Sequence, residues 1–262
     1  MSRVVRSELI RLLRRRTAWI AAGAAVAFAA VATLAVMSSA RSTGVASRRG
    51  GTTLAAFNGS GGGTEAFAVG ASFTGFLVFV TFIALIASEF SGGTFRSLVM
   101  REPSRTSVIV GKLAGVLIVV AGAVALAEAC TFAMSFALAP SKDIVTSEWL
   151  SLSSLGDGIV DYLTVMAGVV GWAVFGTTLA VIFRSAPVAL GVGFAWAGPF
   201  ENIVVDSWQT GYRFFPGQVL ASLIQGGSAE LGLGRALLTA STYAAVAAIV
   251  TLLLVSRRDV TS

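Results

Sequence analysis

Long apolar stretches separated by short polar ones form the main pattern along this chain. Each apolar stretch is close to the about 20 residues that a helix needs to cross a bilayer core. Six membrane spans are predicted, at residues 18–37, 66–88, 108–138, 159–183, 187–205 and 236–256. The pattern therefore predicts an all-α membrane protein with a single transmembrane domain over residues 1–262.

The first residues have a different pattern, typical of an amphipathic helix. On a helical wheel, the arginines and the apolar residues of this segment fall on opposite sides. We predict an interfacial helix over residues 1–17, lying in the plane of the membrane surface. A signal peptide cleaved near residues 38–40 is the alternative, but the apolar stretch is longer than a usual signal core.

Composition supports a membrane protein and excludes several kinds of chemistry. Hydrophobic residues make up 55% of the chain and charged residues 12%, against about 25% charged in ordinary soluble domains. His is absent and Cys130 is the only cysteine, which removes His-based zinc sites, Ser-His-Asp catalysis and an intrachain disulfide. We predict no catalytic residue, no metal site and no cofactor bound by this chain.

The distribution of Lys and Arg predicts the orientation. With the N-terminus inside, thirteen of the 19 basic residues lie on the inner side, so both termini are predicted to be cytoplasmic. The same bias explains the net charge of +6 by membrane anchoring, without a nucleic-acid partner.

Three features are predicted on the outer side. The loop at residues 38–65 is rich in Gly, Ser and Thr and is predicted to be flexible. The residues Gly198-Pro199-Phe200-Glu201 predict a break in the fifth span. Residues 206–235 contain an aromatic cluster and are predicted to be a re-entrant segment of short helices.

The polar segment, residues 89–112, lies between the second and third spans. Thr94 follows two glycines and is placed to cap a new helix, which Pro103 would end. We therefore predict about two turns of helix on the cytoplasmic face, with Lys112 anchoring the third span at the headgroups. The alternative is an ordinary positive inner loop with a chance helix.

This polar segment resembles the permease subunits of the ABC-2 exporter family. The shared pattern is an acidic residue, then Gly-Thr-x-Arg-x-Leu, then Pro-Ser-Arg, then Gly-Lys before a span. The topology is similar to that of the small six-span members, such as bacitracin- and daunorubicin-type exporter permeases.

The resemblance implies that residues 89–107 form a coupling loop, whose coupling helix docks onto an ATPase subunit. A smaller contact is implied at Arg184, in the turn between spans four and five. The residues implied in this interface are Glu89, Gly93, Thr94, Phe95, Arg96, Arg101, Pro103, Arg105 and Arg184. The working unit would be two permease chains and two ABC ATPase chains in the cell membrane, in contact with lipid.

The chain itself contains no Walker A motif. The nearest approach, Gly111-Lys112-Leu113, lacks the Ser or Thr and the upstream glycine. ATP and Mg are therefore expected in the partner subunit, and the chain is not expected to be an enzyme by itself. The expected function is export of an amphipathic or hydrophobic compound by alternating access, as in multidrug or antibiotic resistance.

Candidate residues of the substrate pathway lie in or beside the spans. They are Glu128, Thr131, Trp172, Phe175, Trp196 and Glu201. Glu128 is an ionisable group inside a span, which indicates a functional site. Two interpretations stay open: it binds a cationic substrate group, or it is structural, bonded to neighbours such as Thr131 or to outer water. Glu201 either gates the outer exit or lies at the water boundary, and the aromatic residues either line a cavity or pack.

Other functions are compatible with six spans. A substrate-binding subunit of an uptake system, or a membrane sensor, has similar topology but needs neither the amphipathic helix nor the polar segment. An intramembrane enzyme is disfavoured because His is absent and no Asp pair lies at membrane depth.

Overall fold

The computed structural model describes residues 2–40, 52–94, 100 and 104–257. This part of the chain is helical and contains no strand. The helices are α1 (Ser2–Leu12), α2 (Arg15–Ser39), α3 (Glu65–Ser91), α4 (Arg105–Leu138), α5 (Leu152–Phe183), α6 (Ala186–Ala195), α7 (Glu201–Ser207), α8 (Pro216–Ile224) and α9 (Leu233–Arg257).

Six helical segments among the described residues are long and apolar enough to cross a membrane. They are α2, α3, α4, α5, the continuous α6–α7 segment and α9. Each of the six predicted ranges lies inside one of them. The helical fold is therefore confirmed, and the six helices that are long and apolar enough to span indicate a multi-pass membrane protein.

The centre of the bundle is the contact between α3 and α5. Phe82 and Ile83 of α3, and Val165 and Val169 of α5, are all completely buried. The remaining spans pack around this pair. Besides α5, helix α3 contacts α2, α4, α6 and α8. Because α3 leads directly into the polar segment, a helix of the central pair also supports that segment.

Two of the predicted limits need correction. The N-terminal helix α1 ends at Leu12, and a short turn separates it from α2, which begins at Arg15. Helix α5 begins at Leu152, about two turns before the predicted start of the fourth span. These two turns contain polar residues, so a prediction based on the length of the apolar stretch did not include them.

The predicted flexibility of residues 38–65 is wrong for the part that the structure describes. Residues 52–64 form two short 3-10 turns that pack on residues 139–151, and together these two loops form a cap at one end of the bundle. Phe57 is completely buried, and its carbonyl accepts a hydrogen bond of 2.9 Å from Trp149 Nε1. A Cβ atom at Gly62 would overlap the carbonyl of Phe57, so glycine permits the close packing in which Phe57 is buried.

The predicted break in the fifth span is also wrong. Residues 196–200 form one π-helical turn, and the helix continues to Ser207. Pro199 lies inside this turn. A π-turn changes the hydrogen-bond register, which accommodates a residue that lacks an N–H group. The chain turns back only after Ser207, and α8 then packs against α3, α5 and α9.

Glu201 connects the fifth span to α8. Its side chain is completely buried rather than at the water boundary. The carboxylate accepts hydrogen bonds from the backbone N–H groups of Gly217 and Gln218, each at 3.2 Å. These N–H groups belong to the first turn of α8, where a carboxylate also interacts favourably with the helix dipole.

Replacing Glu201 should weaken the attachment of α8. Glu201→Ala leaves two backbone donors without their acceptor and should lower the free energy of unfolding by about 2 kcal/mol. Glu201→Gln keeps an oxygen acceptor and should lose less. Denaturation of the purified protein in detergent, followed by tryptophan fluorescence, measures both. Glu148→Ala, at an exposed carboxylate of the cap, is the control, and equal stability of all variants would contradict the role of Glu201.

Candidate functional site

The chain changes direction sharply where the polar segment begins. Helix α3 ends at Ser91, and Gly93 has a φ of +69°, a conformation that favours glycine. Thr94 follows in helical conformation, and its hydroxyl donates a hydrogen bond of 3.3 Å to the carbonyl of Glu89. The chain therefore turns at the two glycines, and the hydroxyl of Thr94 ties this turn back to α3.

A buried ion cluster lies directly beneath this turn. It consists of Glu8 and Arg11 from α1, Glu89 from α3 and Lys112 from α4. Lys112 Nζ lies 2.6 Å from Glu8 Oε1 and also pairs with Glu89. Arg11 completes the cluster, 2.8 Å from Glu8 and 3.7 Å from Glu89. Among the described residues, two cations face two carboxylates, so the charges of these four groups balance.

Burial makes this cluster different from a surface ion pair. The side chain of Lys112 is 1% exposed, and those of Glu8 and Glu89 are 8% and 10% exposed. The predicted position of Lys112 at the lipid headgroups is therefore wrong, because its ammonium group points into the protein toward two carboxylates. The cluster also explains why a carboxylate, Glu89, ends the second span.

Helix α1 reaches this cluster by packing on α4. A Cβ atom at Gly115 would lie 2.8 Å from Glu8 Cβ, so only glycine permits this close approach. Glu8 faces α4 while most arginines of α1 are exposed. The ends of three helices, α1, α3 and α4, are thus joined at one point.

One residue of the predicted coupling interface, Arg184, lies beside the end of α3. The guanidinium carbon of Arg184 lies 5.7 Å from the centroid of the Phe90 ring, within the range of a cation–π contact. The turn between spans four and five and the start of the polar segment are therefore neighbours. Arg105 is the first residue of α4, on the other side of the polar segment.

The rest of the predicted interface lies outside the described residues. This applies to Phe95, Arg96, Arg101 and Pro103, and with them to the predicted two-turn helix. Met100 is described, and it is helical and 82% exposed.

The predicted pathway residues do not form one group. Glu128 lines a cavity of about 660 Å³ between α4, α5 and the cap, whereas Thr131 is buried and is not part of its lining. Trp172 is buried in the core, with its ring centroid 5.0 Å from that of Phe79. Phe175 packs against the same core.

The other two pathway candidates belong to the fifth span. Trp196 is half-exposed and stacks on Phe200 at 4.8 Å, while Glu201 holds α8. These contacts support packing and structural roles for the aromatic residues and for Glu201.

Three carboxylates that lie in the ion cluster or near Glu128 were not predicted from the sequence. Glu8 is the only acidic residue of a basic helix, and its position three residues before Arg11 was a usable signal. Asp157 and Asp161 are four residues apart, so they share one face of α5. Asp161 lies close enough to Glu128 to interact with it electrostatically.

These features define an all-α, multi-pass membrane protein with a buried ion cluster under a polar segment and a cavity at the opposite end. A family profile matches residues 27–261, and the chain belongs to this family, DUF2705, described as a protein of unknown function. A comparison with curated proteins gives no match. The matched range begins within α2, so it does not include Glu8 and Arg11.

Removing the central cation should destabilise the protein strongly. Lys112→Met leaves Glu8 and Glu89 buried without their shared partner, which should lower the free energy of unfolding by about 3–5 kcal/mol. Lys142→Met, at an exposed lysine of the cap, is the matched control and should change it by less than about 0.5 kcal/mol.

Neutralising the three buried members of the cluster, Glu8, Glu89 and Lys112, tests the pairing itself. The variant Glu8→Gln, Glu89→Gln, Lys112→Met contains no unpaired carboxylate and should recover part of the stability lost in Lys112→Met. Unfolding in detergent measures all variants. The account of the cluster fails if Lys112→Met is as stable as the wild type.

Proposed function

We propose that this chain is the membrane-spanning permease subunit of an ATP-driven exporter. In this proposal, a separate ABC ATPase binds the polar segment on the cytoplasmic face. ATP and Mg bind in that partner, and the chain moves an amphipathic or hydrophobic compound outward. Two copies of the chain and two ATPase subunits would form the complete transporter in the cell membrane.

The observation that most supports this proposal is the buried ion cluster at the base of the polar segment. A loop that receives force from a soluble partner must be firmly joined to the helices that move. Glu89 lies five residues before Thr94 and is paired with Lys112 of α4 and with Arg11 of α1. A displacement of the polar segment would therefore act on α1, α3 and α4 together.

The contact between Arg184 and Phe90 supports the same proposal. It places the turn after α5 beside the start of the polar segment. A partner that covers the polar segment would also reach this turn, as the resemblance to exporter permeases implies. In that arrangement α5 and α6 would respond to the same partner.

The uptake or sensor alternative makes no use of these features. A substrate-binding subunit has no need for three helix ends joined next to a polar segment. An ion cluster that only stabilised the fold would be equally compatible with either function. Coupling of the polar segment to an ATPase tests the permease role, and the direction of transport separates export from uptake.

Coupling should depend on the polar segment itself. Arg96→Glu and Phe95→Ala should each lower co-purification with the ATPase subunit and reduce the stimulation of its ATP turnover, because both change the predicted docking helix without changing a span. Membrane insertion should remain normal.

Matched controls lie at the opposite end of the bundle. Lys142→Glu and Phe214→Ala make the same types of change at exposed side chains and should leave ATP turnover unchanged. Unaltered coupling in both Arg96→Glu and Phe95→Ala would refute the proposed role of the polar segment.

A further inference from the structure

The cavity beside Glu128 has the size and lining of a ligand-binding site. Its volume of about 660 Å³ lies within the about 300–1,000 Å³ typical of small-molecule pockets. Its walls are mainly apolar and aromatic, and they include Phe132, Trp149, Leu155, Ile159 and Tyr162.

The cavity opens between apolar side chains. Leu155 and Ile159, on the face of α5 that lines it, are 66% and 61% exposed. These residues lie in a helix apolar enough to span the membrane, so the opening would face lipid. A compound dissolved in the bilayer could therefore enter from the side.

Glu128 differs from the neighbouring carboxylates in its contacts. Asp161 accepts a hydrogen bond of 2.6 Å from Thr64, and Asp157 one of 2.5 Å from Ser60. Glu65 likewise accepts one of 2.6 Å from Thr52. Within the described part of the chain, Glu128 has no hydrogen bond and no ion pair, and it lines the cavity.

No cation among the described residues balances these carboxylates. None of the four carboxylates of this region forms an ion pair with a Lys or Arg of the part of the chain that the structure describes. The four are Glu65, Glu128, Asp157 and Asp161. An unpaired carboxylate in apolar surroundings is unfavourable. A cation bound in the cavity would supply its missing partner, and the rings of Phe132 and Trp149 would add cation–π attraction.

We propose that this cavity binds an organic cation with an apolar body, whose charge pairs with Glu128 and whose body packs against the aromatic wall. Such a ligand could be a free amphipathic cation or the amine headgroup of a lipid. Binding of the cation does not depend on the proposed function. Only the identification of this cation as the transported compound rests on that function.

Tetraphenylphosphonium is a suitable probe, with the neutral triphenylphosphine oxide as its control. Binding to the purified chain in dodecyl maltoside, without any ATPase, should be measurable for the cation. Glu128→Gln should weaken binding of the cation by about tenfold or more, because it removes the charge and keeps the shape. It should leave binding of the neutral compound unchanged, and Glu148→Gln should affect neither.

A second pair of variants tests the cavity without changing charge. Ala129 lines the cavity, and Ala129→Phe should fill part of it and reduce binding. Ala137→Phe adds the same ring at an exposed position of α4 outside the lining and should not reduce binding. Size-exclusion profiles establish that each variant is folded.

Added phosphatidylethanolamine distinguishes the two sources of the cation. Competition with tetraphenylphosphonium indicates a lipid amine, and absence of competition indicates a free compound; both outcomes support a cation site. The inference is overturned if the wild type does not bind tetraphenylphosphonium, or if folded Glu128→Gln binds it with unchanged affinity. Because no ATPase is present, that failure leaves the proposed coupling function intact.

Discussion

The pairing of Lys112 with Glu8 and Glu89 is the interaction on which the arrangement of this end of the bundle depends. An isolated charge so deeply buried would be very unfavourable, so removing one of the three residues leaves the others in a costly position. The pairing fixes α1 against α4 and fixes both against the end of α3. The polar segment therefore starts from a rigid base, and Gly93 sets the direction in which the chain leaves it.

Helix α4 connects this base to the cavity at the opposite end. Lys112 and Glu128 lie on the same uninterrupted helix, and their separation of 16 residues corresponds to about 24 Å. A shift of α4 at the ion cluster would therefore be transmitted along the helix to the cavity wall. This connection gives a physical route by which a partner at one end could change the shape of a binding site at the other.

The apolar pattern was sufficient to predict the six spans, because span length is set by bilayer thickness. Features that depend on partners distant in sequence were not predictable. Lys112 was assigned to the headgroups because its partner Glu8 lies 104 residues away. The composition of residues 52–64 predicts flexibility, because it does not reveal the contact of Phe57 with Trp149. The position of Glu201 was not predictable either, because its hydrogen-bond partners lie in α8. The acids of α5 were visible as an i, i+4 pair, but their closeness to Glu128 depends on packing.

The most direct test of the central claim is ATP turnover by a candidate ABC ATPase subunit from the same genome, measured in proteoliposomes with and without the chain. The account predicts that the two proteins co-elute and that the chain increases the turnover rate severalfold. It also predicts that the triple variant Glu8→Gln, Glu89→Gln, Lys112→Met remains folded but stimulates turnover less. Absence of both co-elution and stimulation, with both proteins folded, would contradict the account.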